Sequence, residues 1–424
     1  MMNLIRSRQL RRGAAIVFLL AVVGLGLWSV GSYAFGEYHL RRATKELQRQ
    51  RYRAALKEFE SALRFRPTSA QLHLLIGRTA RQAGRFPLAW EHLHRCRELQ
   101  KGVSADLQIE EYMLRAQTGQ LEDVFRFLVP HLREEDEYTS LVLETLSHAY
   151  LFLYRFDGAW QCLQRWLQLQ PENVEALYLC GKYYTLVVKL ELAIDSLQKA
   201  INLDPTRLDA RLLLGESLRQ AHHIDEAAAQ FELALQQDAG NREARVGLAG
   251  CLADNSKWAE AESTLDGISD DNADAELSYV RGRIAEGRGR YEEAIPFFRA
   301  AIASRPSDNV SCIHLIQCYQ RLGNEAQASE SQELLDRIEK DQMRLIAITN
   351  KEKDALPSDP ALCCELGEVC LRLGLNRRGL HWLQAALYID PHYRRAHEQL
   401  LRYYERLGLE GKEDAAFHRR MLSQ

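Results

Sequence analysis

The stretch from Glu172 to Pro205, ENVEALYLCGKYYTLVVKLELAIDSLQKAINLDP, decides the fold predicted for this chain. Its first half predicts a helix over about residues 174–187, because apolar residues recur there at three- and four-residue spacing: Leu177, Cys180, Tyr184 and Val187. Residues 188–190 form the predicted turn, and a second helix follows over about residues 191–203. Pro205 cannot continue that helix, so it marks the boundary.

Small residues predict that the two helices pack closely. Gly181 lies beside the apolar stripe of the first helix, where the missing side chain allows a second helix to approach. The second helix presents a matching face of small and aliphatic residues: Ala193, Leu197, Ala200 and Ile201.

The same helix ending recurs elsewhere in the chain. Similar letters stand before a proline in YRAALKEFESALRFRP (Tyr52–Pro67), YEEAIPFFRAAIASRP (Tyr291–Pro306) and RRGLHWLQAALYIDP (Arg377–Pro391). Pro171 and Pro205 are 34 residues apart. One helix pair cannot bury its apolar face alone, whereas stacked pairs can. The sequence therefore predicts an array of helix pairs.

The 34-residue pattern resembles the tetratricopeptide repeat family, whose signature has Leu-Gly, aromatic, Ala and Pro residues at fixed positions. Units in one phase extend over about residues 40–424, and a degenerate unit contains Gly119. The resemblance implies an all-α fold, a right-handed α-solenoid of stacked helix-turn-helix units. In our prediction this array follows an N-terminal transmembrane helix.

The phase of the repeat suggests how the chain is divided. The 17 residues 343–359, MRLIAITNKEKDALPSD, do not fit the repeat and predict an inserted helix or a hinge. The predicted parts are a basic tail (1–12), a transmembrane anchor or signal-anchor (13–36), a repeat array (37–342), this insertion, and C-terminal units (360–424).

Residues 13–36, GAAIVFLLAVVGLGLWSVGSYAFG, carry no formal charge and as a helix would span roughly 36 Å, enough for a bilayer core. A cleaved signal peptide is the alternative, with Ser32-Tyr33-Ala34 as its cleavage site. The Arg-rich tail before the segment favours placing the large domain outside the cytoplasm, while the cysteines favour the cytoplasmic side.

Charge and cysteine content give two further expectations. Residues 1–66 hold 13 Lys and Arg against 4 Asp and Glu, which fits lipid head groups around an apolar segment better than nucleic acid. The nine cysteines include no CxxC pair, and most fall at apolar positions of the repeat. We therefore expect them to be small buried core residues.

The resemblance also implies a binding surface. In tetratricopeptide arrays the first helix of each pair lines a concave groove, and the matching positions here predict partner-binding side chains: Tyr178, Lys182, Arg219, Tyr279, Arg283, Gln317 and Gln320. Aromatics, amides and both charge signs on such a surface suit an extended peptide or a helix. A carboxylate clamp for chaperone tails is not expected, because no unit has the required Lys and Asn pair.

No catalytic motif is apparent in the sequence. It has no HExxH, no phosphate loop ending in GK[ST] and no GxSxG. His92 and Cys96 share a helix face but His94 does not, so we expect no metal site there. We expect no enzyme activity, no cofactor, no nucleic acid and no small-molecule substrate.

These observations predict a membrane-anchored scaffold that recruits or assembles partner proteins through its groove. The alternative is an accessory structural subunit of a cell-envelope assembly, export or cofactor-maturation complex.

Overall fold

The computed structural model describes residues 31, 33–47, 51–100, 102–118, 120–153, 155–268, 274–351, 359–408 and 411–423. Every regular element in these stretches is a helix, which confirms the predicted all-α class. The predicted basic tail lies outside the described residues, as do Gly119 and most of the predicted anchor (13–36), of which only residues 31 and 33–36 are described. Among the helices that are described, none is long and apolar enough to cross a bilayer.

Twenty-two helices follow one another along the described residues. They are α1 (33–47), α2 (Tyr52–Leu63), α3 (Ala70–Gln82), α4 (Phe86–Gln100), α5 (Ala105–Gln117), α6 (Leu121–Glu134), α7 (Thr139–Phe152), α8 (Phe156–Leu169), α9 (Val174–Leu186), α10 (Leu190–Leu203), α11 (Leu208–Gln220), α12 (Ile224–Gln237), α13 (Arg242–Asp254), α14 (Trp258–Thr264), α15 (Ala275–Gly287), α16 (Tyr291–Ser304), α17 (Asn309–Arg321), α18 (Glu325–Lys351), α19 (Pro360–Arg372), α20 (Asn376–Ile389), α21 (Arg394–Arg406) and α22 (Lys412–Ser423).

The chain divides into two compact units, Met1–Leu179 and Cys180–Gln424. In the first unit, apolar residues of α1 to α5 form one core that contains Phe59 and Leu93. In the second unit the apolar cores follow one another along the chain, and Phe298 belongs to one of them. Each core combines helices that are near neighbours in sequence, as expected for stacked pairs.

The two helices predicted from Glu172–Pro205 are present within one residue of the predicted bounds, as α9 and α10. The predicted inner face of α10 is buried: Ala193, Leu197, Ala200 and Ile201. The helix ends at Leu203, and Asp204 and Pro205 follow it in non-helical conformation.

Five first helices contain a glycine where the second helix of the pair approaches most closely. A Cβ built on any of them would lie 2.4–2.8 Å from a side chain 16 residues later: Gly77 and Leu93, Gly181 and Leu197, Gly215 and Phe231, Gly282 and Phe298, Gly367 and Leu383. Such distances are shorter than van der Waals contact, so a larger residue would force the facing side chain or its helix to move. The role predicted for Gly181 is confirmed.

Side-chain caps and left-handed turn residues bound many of these helices. Ser69 and Asn241, for example, accept a hydrogen bond from the backbone N–H three residues later, at 3.3 and 2.9 Å. These caps satisfy N–H groups that have no partner inside the helix. Between paired helices, the turn contains a residue with positive φ, which is Gly289 in one pair and Val188 in another.

The predicted insertion does not begin with a new helix. Helix α18 is continuous from Glu325 to Lys351, so residues 343–351 extend it. Ile338 and Ile348 on this helix are both buried, although they pack into different apolar cores. Residues 352–358 lie outside the described residues, and the division of the chain at 342 and 359 stays a prediction.

Candidate partner-binding surface

The seven side chains predicted to bind a partner fall into two groups. Tyr178 is half-buried on α9 and belongs to the unit Met1–Leu179. The other six lie in Cys180–Gln424, on the first helices α9, α11, α15 and α17, and we call them the first-helix surface: Lys182, Arg219, Tyr279, Arg283, Gln317 and Gln320. Lys182, Gln317 and Gln320 are exposed, whereas Arg219, Tyr279 and Arg283 are not fully exposed.

Three of the six are brought together by a carboxylate that the repeat pattern did not predict. Asp254, at the end of α13, lies 3.5 Å from Arg219 Nη1 and 3.6 Å from Arg283 Nη1. Arg283 Nη1 also donates a hydrogen bond to the Tyr279 hydroxyl at 2.8 Å. The side chains of α11, α13 and α15 therefore form one contiguous polar chain across three successive first helices.

Arg219 is the centre of this network. Its Nε donates to Glu216 at 3.1 Å, and its Nη2 donates to Glu276 at 3.0 Å. Burial disfavours the guanidinium charge, but the carboxylates of Glu216, Glu276 and Asp254 outweigh it and raise the pKa of Arg219. Burial also raises the pKa of Glu276, and Arg219 opposes that rise. The charge of Arg219 is thus paired with carboxylates of the protein itself. The exposed side chains of the first-helix surface are Lys182 and the two glutamines.

Asp254 was missed because it belongs to a unit that matches the repeat poorly. Asp254 lies 35 residues after Arg219, close to the equivalent position of the next unit. If the 34-residue phase is extended through that weak unit, it places Asp254 on the surface that contains Arg219. No comparable signal marks Glu276, since its contact depends on side-chain orientation.

The two histidines considered as metal ligands, His92 and His94, have other partners. His92 Nδ1 lies 3.0 Å from His73 Nδ1, while His94 is exposed and 3.6 Å from Glu98. His73 Nε2 donates to the Pro67 carbonyl at 3.2 Å. In the neutral ring His73 Nδ1 must therefore accept, and His92 Nδ1–H donates. Within the described residues, no three His, Cys, Asp or Glu side chains are grouped to hold a metal ion.

Models of the tetratricopeptide repeat match three segments of the chain, residues 40–95, 218–284 and 275–308. The chain contains tetratricopeptide repeats. The matched segments include Arg219, Tyr279 and Arg283, so these residues lie within recognised repeats. Tetratricopeptide repeats generally bind proteins or peptides and are generally not catalytic.

Several solved structures are similar to this chain in fold. The type IV pilus biogenesis factor PilW has 18% identity, a TM-score of 0.41, and coverage of 48% of this chain and 94% of its own. The APC/C hetero-tetramer Cut9–Hcn1 has 15% identity, a TM-score of 0.43, and coverage of 86% and 75%. The human IFIT1 dimer with m7Gppp-AAAA has 16% identity, a TM-score of 0.43, and coverage of 76% and 90%. At these values the similarity carries no information on partners. No curated protein sequence matches the chain significantly.

Proposed function

We propose that this protein is a non-enzymatic scaffold that binds partner proteins through the first-helix surface. The observation that carries the proposal is the contact of Arg219, Asp254 and Arg283 across α11, α13 and α15. Because side chains of successive first helices touch, they offer a partner one continuous surface rather than separate patches. An extended peptide or a helix can run along such a surface.

In this proposal the exposed members contact the partner, and the half-buried Arg219, Tyr279 and Arg283 hold the surface in shape. Lys182, Gln317 and Gln320 are exposed, and so is the apolar Ile313 on the same helix as the glutamines. Arg219→Glu would place a fourth carboxylate among Glu216, Asp254 and Glu276 and would disturb folding as well as binding. Experiments on binding should therefore leave Arg219 unchanged.

Site-specific photocrosslinking in cells tests the proposal. A benzophenone amino acid is placed at Gln317 or Gln320 on the first helix α17, or at Glu292 or Glu293, which are exposed on the second helix α16. We expect the two glutamine positions to trap one defined set of proteins that the two glutamate positions do not trap. The same products from both helices, or none from α17, would contradict the first-helix surface.

We further propose that residues 13–36 anchor the protein in a membrane and that the repeats lie outside the cytoplasm. The length of the uncharged segment and the four arginines before it support this proposal. A reporter that is active on only one side of the membrane, fused after Gln424, tests it. Reporter activity in the cytoplasm would contradict the proposed topology, and extraction of the protein by salt alone would contradict the anchor.

A further inference from the structure

A cleft of about 290 Å³ lies within the unit Met1–Leu179, apart from the residues of the first-helix surface. Its lining comes from α1, α2, α3, α7, α8 and the residues just after α8, and includes Arg78, Gln82, Ser140, Glu144, Trp166 and Gln170. Pockets for drug-sized ligands begin near this volume, so the cleft has room for one long side chain but not for a folded segment.

Buried charges surround the cleft. Glu110 is fully buried and accepts hydrogen bonds from Arg78 Nε at 2.5 Å and from Arg81 Nε at 2.9 Å. Arg81 Nη1 donates to Gln117 at 3.3 Å and to Thr145 at 3.1 Å. Arg78 is therefore committed to a partner inside the unit, as are Nε and Nη1 of Arg81, whereas the buried Arg81 Nη2, which does not line the cleft, has no hydrogen-bond partner among the described residues.

Glu144 lines the cleft with one oxygen left over. Glu144 is only 3% exposed, and its Oε2 accepts a hydrogen bond from Gln82 Nε2 at 3.0 Å. Oε1 is buried and has no hydrogen-bond partner among the described residues. Burial raises the pKa of Glu144 and Glu175 adds to the rise, while Arg81, His148 and Gln82 oppose it. A buried carboxylate oxygen without a donor is costly, and a donor entering the cleft would remove that cost.

The remaining lining includes both polar side chains and the indole of Trp166. Gln170 receives a hydrogen bond from the nearly buried Trp166 through Nε1, at 3.2 Å, and its own Nε2 donates to Ser140 at 3.0 Å. These groups form hydrogen bonds with one another. Among the residues that line the cleft, Glu144 is the one with a buried polar atom that lacks a hydrogen-bond partner. The indole of Trp166 offers an apolar wall for an aliphatic stem.

We propose that this cleft receives a lysine or arginine side chain of a partner polypeptide, with its cationic head on Glu144 Oε1. An anion would meet Glu144, and an uncharged apolar group would leave Oε1 without a donor. Positive charge on the entering group pairs with the carboxylate at a site shielded from water, where such pairs are strong. The assignment of the cation to a partner polypeptide rests on the proposed scaffold role, whereas the cation site itself does not.

Small probes test the cleft without any partner protein. Isothermal titration of the full chain compares N-acetyl-arginine amide and N-acetyl-lysine amide with N-acetyl-citrulline amide, an uncharged analogue of the first. We expect the arginine probe to bind at least about tenfold more tightly than the citrulline probe. Glu144→Gln should abolish that difference, whereas Glu91→Gln, at an exposed carboxylate of α4, should preserve it.

Three results would overturn the proposal. They are equal binding of the arginine and citrulline probes, an unchanged ratio in a folded Glu144→Gln protein, and tighter binding of free spermidine than of both amino-acid cations. The last result would assign the cleft to a small polyamine. The titration needs no partner protein. It therefore tests the cation site even if the crosslinking experiment contradicts the scaffold proposal.

A second variant keeps the test decisive if Glu144→Gln does not fold. Ser140→Arg supplies a guanidinium from within the cleft and retains Glu144. We expect this variant to lose binding of the arginine probe and to melt at a higher temperature than the wild type. Unchanged binding by Ser140→Arg would contradict the cleft as the cation site.

Discussion

Val188 is a β-branched residue in the turn between α9 and α10, with φ of +55°. Left-handed backbone costs a non-glycine residue roughly 1–2 kcal/mol, and the side chain is 76% exposed, so little burial offsets the cost. Glycine loses roughly 0.5–1 kcal/mol more conformational entropy on folding. We therefore expect Val188→Gly to raise the free energy of unfolding by up to about 1 kcal/mol in urea titrations.

The reciprocal change provides the control for this turn. Gly289 has φ of +74° in an equivalent turn, with open space where a Cβ would lie. Gly289→Val should lower the free energy of unfolding by about 1 kcal/mol or more, through backbone strain alone. A stabilising Gly289→Val, or a destabilising Val188→Gly, would show that strain does not determine these turns.

Ala193 tests the packing within one helix pair. The residue is fully buried on α10, while its neighbour Leu192 is 46% exposed. Ala193→Glu should cost several kcal/mol, because it buries a carboxylate without a partner. Leu192→Glu should change the melting temperature little. Equal melting curves for Ala193→Glu and the wild type would contradict the register of α10.

The contacts of small and apolar residues between paired helices could be predicted from the sequence, because those residues recur at a fixed spacing. It did not predict which charged residues would be buried. Arg81 is among the largest fully buried side chains, and its partners Glu110 and Thr145 lie 29 and 64 residues away. Such a contact depends on stacking and side-chain orientation, which periodicity does not record. Glu276, which accepts a hydrogen bond from Arg219, was missed for the same reason.

Two helix pairs share an unusual histidine arrangement. His73 and His397 each lie six residues after a proline and each donate Nε2–H to its carbonyl, at 3.2 and 3.0 Å. Each then accepts from a histidine of the following helix, His92 at 3.0 Å or His418 at 2.8 Å. In two different units the same repeat position thus holds a buried pair of hydrogen-bonded histidines.

This arrangement predicts that acid destabilises both pairs. Burial, and then the neighbouring histidine, lowers the pKa of His92 and of His418, although Glu91 and Glu60 act against this on His92 and Asp414 does so on His418. The unfolded chain therefore binds more protons near pH 6, so stability is present above the unfolded pKa of about 6.5 and falls below it. We expect a lower melting temperature at about pH 5.5 than at about pH 7.5.

Substitutions separate this effect from general acid denaturation. Asn can replace the donating Nδ1–H without titrating, so a His92→Asn, His418→Asn protein should lose part of the pH dependence between those two values. His94→Gln, at an exposed histidine of the same helix as His92, should keep it. A pH dependence that is identical in all three proteins would rule out the buried pairs as its source.

Helix α18 shows where a repeat phase is a poor guide to element bounds. The phase placed a boundary at residue 342, but the sequence from Glu325 to Lys351 contains no Pro or Gly, and α18 does not end there. Leu335 and Ile338 are buried before that point and Ile348 after it. Helical periodicity of apolar residues therefore continues across the break in the 34-residue pattern, and it predicts the helix better.

The cysteines give a prediction for the whole chain. All nine are buried, as expected for small core residues. Burial raises the pKa of Cys162, Cys180, Cys251, Cys318 and Cys364 to about 12 and that of Cys312 and Cys370 to about 11. Because thiolate is the reactive form, we expect the native protein to react slowly with iodoacetamide at about pH 8.

Mass spectrometry of the alkylated protein checks this expectation. Nine adducts should form quickly once urea unfolds the chain, and a cysteine introduced at the exposed Gln317 should react quickly in the native protein. Rapid native labelling of any of the nine would show that its helix pair opens, and would place that pair at the low end of local stability.

Most packing between helices in the described residues joins helices that are adjacent or next but one along the chain, and a few hydrogen bonds reach further, such as that from Arg81 on α3 to Thr145 on α7. Stability in such an array is a sum of local terms, so damage to one helix pair should stay local.

Phe59 and Phe298 occupy equivalent, fully buried positions on α2 and α16. Each Phe→Ala change should cost about 3–5 kcal/mol through the cavity it leaves. By hydrogen exchange, Phe59→Ala should deprotect α1 to α4 and leave α15 to α18 unchanged, and Phe298→Ala should do the reverse. Loss of protection along the whole chain in either variant would mean that the array unfolds as one cooperative body, in which no partner could loosen one pair without loosening all.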